Sequence, residues 1–446
     1  MSINKTFIQL FIQLFCISIV ISFILYLFNY IYLPANSAFY NEEGSSYCLD
    51  ISNFEYEIIN SVYDYIYPES CDQERYYSAF SNPKKLIATE HPYQTRPIFV
   101  VFIYLINLFI SLLTGNNEIL SLQLSTFIGQ ILILSFGTSI ILSTFSKLAD
   151  LKWFEKLLFH SIVLSSPLIK YALFDPSHQT LTYLNIAFMI YVLKNYESIN
   201  YSKFTIFLGI LFLAHRPFLL VFFIYFLYLT KLKINLKNLI LGLKGSIYVL
   251  LPYLAYRLVI FSLGYEIYDG LTKKWGQFIW IYDFIRGKVR YASDWHCVTV
   301  PENFICYFQD TSSTLLYLLI PILSVVTILL TKNFDDDITV IILKSCMYYY
   351  IFWSLIGWYP PLRFNLYSLN YLFVLLLLIG YFQIKRKSEK FFLITSNITF
   401  FVSASHWNNP EILNVSLIFK SSLLLFGIYF VIAFFNLFNK TSEEVT

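Results

Sequence analysis

The sequence predicts an all-α polytopic membrane protein of about twelve transmembrane helices, with one long polar loop near its start. Three observations carry that prediction. Of 446 residues, 57% are hydrophobic and 13% charged, whereas soluble domains run near a quarter charged. Apolar runs of about 20 residues, enough to cross ~30 Å of hydrocarbon, recur along the chain. The interval 34–96 between the first two runs holds ten of the 28 carboxylates, and loops of that length are uncommon unless they serve a function.

Taken in order, 6–33 is an apolar run longer than a signal-peptide core and without a small-residue cleavage site, so a retained anchor is expected. The run 97–113 is barely long enough to span and ends in Thr114-Gly115-Asn116-Asn117. Further spans are expected at 118–146, 157–174, 178–194, 203–230, 246–263, 314–331, 338–357, 365–384, 391–407 and 413–438. The run 203–230 is interrupted by His215-Arg216-Pro217. It reads as two short helices that enter and return, and irregular backbone at such depth is tolerated only where it lines an enclosed or wet cavity.

Basic residues set the orientation, because Lys and Arg in short loops stay cytoplasmic. If 97–113 lies along the outer interface, the loops bearing Lys147, Lys152 and Lys156, Lys194 and Lys203, Lys231 to Lys244, Lys332, and Lys385 to Lys390 share one side. Both termini are then cytoplasmic, and the acidic loop is outside. The chain divides into a module 1–230 that includes the loop 34–96, and a set of further transmembrane helices 231–446 with an outer loop 264–313. Cys16 and Cys346 fall within apolar runs, while Cys48, Cys71, Cys297 and Cys306 fall in outer loops. An oxidising compartment would allow intraloop pairs Cys48 with Cys71 and Cys297 with Cys306, and free thiols fit the spacing equally well.

No Gly-rich phosphate loop, Cys-x-x-Cys pair or His-Glu-x-x-His motif is present. A net charge of +3 with no concentrated basic patch argues against nucleic acid as a partner and leaves the lipid bilayer as the surrounding phase. Chemistry must come from acids and bases at the membrane boundary, and four clusters stand there. Asp50 and Glu55 precede Tyr56, Ile59 and Tyr63 at helical spacing, the pattern of an amphipathic surface helix or of a solvated acidic face. Glu90-His91-Pro92-Tyr93-Gln94-Thr95-Arg96 leads into Pro97, which suits a first helical turn. Asp175 and His178 share a very short outer hairpin, as a functional pair or as an Asp-Pro turn. His215 and Arg216 stand at the break, and Arg363 follows Trp358-Tyr359-Pro360-Pro361. Guanidinium groups there either fork onto phosphate or snorkel to headgroups. Arg257 and Lys420 are weaker candidates of the same kind.

A first span, a long acidic outer loop, an Arg-Pro lead-in to an apolar run, and a span that carries Ser166-Pro167-Leu168-Ile169-Lys170-Tyr171 and ends in Asp175 resemble the GT-C superfamily of polyprenyl-phosphate-sugar-dependent membrane glycosyltransferases, over roughly 1–230. The resemblance implies a catalytic base at Asp50 or Glu55 and a second acidic residue at Asp175. It also implies a polyprenyl-phosphate sugar donor, a glycan, lipid or protein acceptor, and an active site on the outer face of the plasma (bacterial inner) membrane. Where relatives often carry a Lys-Gly-Pro-like break, this chain has His215-Arg216-Pro217. The residues suit that chemistry on their own terms. A carboxylate can take the acceptor's proton, and Arg96, Arg216, Arg363, His91, His178 and His215, with Glu90 beside them, can hold a phosphate that gains charge as it leaves. The carboxylates would also suit Mg or Mn, though no ligand spacing decides it. Two other functions use the same residues: a lipid-linked saccharide flippase, and an O-antigen-type polymerase or ligase with Arg286, Arg290 and Arg363 as its arginines.

Overall fold

The structure is a computed structural model that describes residues 5–32, 73–88, 92–165, 178–265 and part of 338–349, apart from a few single positions within them. The described residues are helical, with no strand among them. In chain order the helices are α1 (Lys5–Tyr32), α2 (Gln73–Ser81), α3 (Lys85–Ala88), α4 (Pro97–Leu113), α5 (Glu118–Thr144), α6 (Ser146–Ala149), α7 (Trp153–Ser165), α8 (Thr180–Asn195), α9 (Tyr201–Phe212), α10 (Phe218–Thr230) and α11 (Leu236–Ser262). A 3₁₀ turn, Pro92–Thr95, leads into α4. The calls on Asp50, Glu55, Glu90, His91, Asp175 and Arg363, on the cysteine pairs, and on the spans beyond 265 other than part of 338–357 lie outside the described residues.

Among the described residues, two helices are long and apolar enough to cross a membrane: residues Leu120–Thr144 within α5, and Leu236–Ser262. α5 is the hub. Asn117 caps it by accepting from the Leu120 amide at 3.1 Å, and its many hydroxyls bond back to their own helix, as Thr126 does to the Leu122 carbonyl at 2.8 Å. These hydroxyls therefore lie in an apolar bundle without orphaned donors.

α4 packs against the first half of α5. Asn107 accepts from Ser121 at 2.6 Å and from Ser125 at 3.1 Å, and Gly129 lies against Phe102, Ile103 and Ile106. Residue numbers fall along α4 as they rise along α5, so the two form an antiparallel hairpin. The run 97–113 is therefore one helix paired along the first half of α5. Its other face, Val101, Leu105, Leu108, Phe109 and Leu112, is exposed and apolar.

α8 runs parallel to the second half of α5. Thr180 bonds to Gln130, and Tyr183 and Leu184 lie against Gly137. α9 and α10 then form the hairpin expected from the broken run, each too short to cross ~30 Å. Its turn is closed by short-range bonds, including the His215 amide to the Leu211 carbonyl at 2.9 Å and the Phe218 amide to the His215 carbonyl at 3.1 Å. That local closure is how irregular backbone survives away from water.

α11 begins at Leu236, ten residues before the expected span. Asn235 caps it, accepting from the Asn238 amide at 2.8 Å, and long Lys side chains let a helix continue past the apolar region. It crosses α9 closely at Gly209, where a Cβ would stand 2.5 Å from the Val249 carbonyl oxygen and 3.0 Å from the Pro252 ring. The end of α8, both ends of the α9–α10 pair away from its turn, and the start of α11 meet at one end of the bundle. Contacts of Tyr196 with Tyr228, Tyr201 with Tyr225, and the Tyr201 hydroxyl with the Leu241 carbonyl fix this. Lys194, Lys203, Lys231, Lys233 and Lys237 therefore gather there, beside Lys152 and Lys156 at the start of α7.

Candidate functional site

The turn of the α9–α10 hairpin, the start of α8 and the start of α4 meet beside the middle of α5. From Thr144 at the lysine end back to Gln130 is fourteen residues, ~21 Å at 1.5 Å per residue. His178, His215, Arg96 and Arg216 stand on the segments that converge at this level, and the first three join one network. The imidazoles of His178 and His215 lie with centroids 5.1 Å apart and planes inclined at 56°. Both rings are buried.

Two hydrogen-bonded relays end on these rings. Arg96 Nη1 donates to the Tyr76 hydroxyl at 3.1 Å, and that hydroxyl stands 2.9 Å from His178 Nδ1. Since the tyrosine oxygen accepts from Arg96, its own proton is directed at Nδ1, which makes the neutral His178 the Nε2–H tautomer. On the other side the Tyr349 hydroxyl donates to Thr182 Oγ1 at 3.0 Å, which is 3.4 Å from His215 Nε2. The same logic leaves the His215 proton on Nδ1. Each ring thus accepts through one nitrogen and keeps the other as a donor. No carboxylate among the described residues pairs with Arg96, so the centre combines a guanidinium with two imidazole N–H groups. Chemically that is a cradle for an anion.

Tyr76 belongs to α2, the last part of the acidic interval. Its ring packs on Phe80 at 5.6 Å and on Phe99 of α4 at 6.3 Å, while Phe99 meets the edge of His178. Tyr76 of α2 and Arg96 therefore stand against the helix end that carries His178. Arg216 is half-buried at the turn, beside His215 in sequence.

Of the expected site residues that are described, Arg96, His178 and His215 are joined through Tyr76 and the ring contact, and Arg216 stands next to them on the same turn. Sequence reasoning missed Tyr76, Thr182 and Tyr349. Nothing marks one tyrosine among 37. It also missed a second buried network in which Ser18 of α1 meets His160 Nε2 of α7 at 2.5 Å and Ser135 at 3.1 Å. His160 Nδ1 in turn meets Thr138 at 2.9 Å, and Thr138 meets Tyr183 at 3.0 Å. The signal was available, since an ionisable residue inside an apolar run is a functional or structural device by default. This network ties α1, α5, α7 and α8 together. Among the described residues no cluster of three or more His, Cys, Asp or Glu could hold a metal ion. No family model, curated protein or solved structure matches the chain.

Proposed function

We propose that the chain is a multi-pass membrane glycosyltransferase that moves a sugar from a polyprenyl-phosphate donor to a glycan, lipid or protein acceptor on the outer face of the membrane. The observation that carries this reading is Arg96, bonded to Tyr76 beside the His178–His215 pair and paired with no carboxylate among the described residues. A phosphate is the anion that such a centre suits, and a lipid-linked phosphate can reach it through surrounding hydrocarbon. The gathering of lysines at one end of the bundle, ~21 Å along α5 from the level of the site, supports a site that opens to the outer side by the positive-inside rule.

In the reaction the acceptor oxygen forms a bond to the anomeric carbon as the bond from that carbon to the phosphate oxygen breaks. The electron pair leaves on the phosphate, where Arg96 and Arg216 offset the growing charge. The acceptor proton passes to a carboxylate, the role that the resemblance assigns to Asp50 or Glu55, with Asp175 as the second acid. Any Mg or Mn would be held by the same carboxylates.

The test is incubation of purified protein with a panel of polyprenyl-phosphate sugars and acceptors, following release of the lipid phosphate. Release with at least one donor is expected, and no release from any of them refutes the reading. A second reading, a lipid-linked saccharide flippase, is favoured by the helix break at depth, a feature of transporter sites. Movement of intact donor across vesicle membranes without phosphate release would select it.

A further inference from the structure

Along α8 the polar side chains facing the bundle are paired, with one exception. Thr180 bonds to Gln130, Thr182 lies between Tyr349 and His215, and Tyr183 meets Thr138. Asn185 lies one turn beyond Thr182, is 0% exposed, and has no hydrogen-bond partner at either Nδ2 or Oδ1. Ser22 and Gln123 are also buried, but each leaves one unpartnered atom. Asn185 leaves a whole amide. A buried polar group without a partner costs about 1–3 kcal/mol, and native proteins retain very few. An apolar residue would fill the position at no such cost.

We infer that Asn185 is a substrate-contacting residue that takes a hydroxyl of the sugar beside the phosphate cradle. The amide offers one donor side and one acceptor side, which matches a neutral hydroxyl and not a charged group. No charged side chain is paired with it, so it adds nothing to phosphate binding. It stands on α8 three residues beyond Thr182, whose hydroxyl is 3.4 Å from His215 Nε2, so it is about one helical turn from the histidine pair. The inference rests on the glycosyltransferase reading. It adds that sugar recognition comes from the face of α8.

The test compares full-length wild type with Asn185→Leu in detergent, measuring melting temperature with and without each polyprenyl-phosphate sugar of the panel and with the sugar-free polyprenyl phosphate. Leucine is close in volume and removes the orphaned amide. Asn185→Leu is expected to melt at or above the wild-type temperature without ligand. It is also expected to lose most of the additional stabilisation that the sugar-bearing donor gives over sugar-free polyprenyl phosphate, while keeping the response to the latter. An equal donor response in both proteins overturns the inference and leaves the glycosyltransferase reading standing. A clearly lower melting temperature without ligand also overturns it, because the amide is then satisfied within the fold by water. No response of wild type to any sugar-bearing or sugar-free lipid phosphate sinks the reading itself and the inference with it.

Discussion

Tyr76→Phe isolates the link between α2 and the histidine pair. The ring is 2% exposed and packs on Phe80 and Phe99, so phenylalanine keeps the packing and removes only the hydroxyl. Two bonds go with it: one to a neutral imidazole at 2.9 Å and one from a guanidinium at 3.1 Å. A neutral bond contributes about 1 kcal/mol and one to a charged group about 1.5–3 kcal/mol. Arg96 is half-buried and can turn toward water, which places the net loss at about 2–3 kcal/mol. That corresponds to a roughly 30- to 150-fold larger open population of the docked segment. Amide hydrogen exchange reads it directly: protection over Gln73–Ser81 should fall by that factor, while the middle of α5 and α8 stays protected. In a double-mutant cycle with Arg96→Gln, a coupling above about 0.5 kcal/mol is expected. Unchanged exchange in α2 would refute the bridging role. Equal loss of protection throughout the bundle would refute the view that the hydroxyl acts on docking alone.

Gly209→Ala should lower stability in detergent by about 1–3 kcal/mol, since the new methyl meets backbone at Val249 and the Pro252 ring, neither of which can swing aside; unchanged thermal melting would mean that α9 and α11 cross less closely. Arg216→Lys keeps the charge but loses the planar fork, so donor affinity should weaken, and equal affinity for wild type, Arg216→Lys and Arg216→Ala would exclude a phosphate role. Lys152→Cys, at the lysine end, should react with an impermeant thiol reagent only after the membrane is opened, in a background with the six native cysteines replaced. Labelling in intact cells would invert the orientation.

Much of the helical framework can be read from the chain alone, because hydropathy and local breakers act within a few residues of themselves. The hairpin at 203–230 is the clearest case. Pro217 can neither donate a backbone bond nor follow a helical residue comfortably, so the break must fall where it does. The unexpected start of α11 has the same local origin, in the Asn235 cap and in lysines that a helix carries past the apolar region. The direction of α4 is another matter. Its composition suits an interface or an interior equally, and the pairing of Asn107 with Ser121 and Ser125 on α5 decides its axis.

The candidate site divides along the same line. Arg96, His178, His215 and Arg216 stand out in the sequence because charged and ionisable groups beside apolar runs are costly and therefore few. Their convergence is a tertiary result. Tyr76 and His178 are 102 positions apart, and Tyr349 and Thr182 are 167 apart, and no local rule of spacing or propensity reaches that far. The sequence by itself determined which helices form and which polar groups are available. The tertiary structure alone decided that a tyrosine from the acidic interval would orient one imidazole, that a threonine and a second tyrosine would orient the other, and that Asn185 would be buried without a partner. The physical reason is that secondary structure follows from neighbours along the chain, whereas a hydrogen-bonded site depends on side-chain geometry that exists only once the helices have packed.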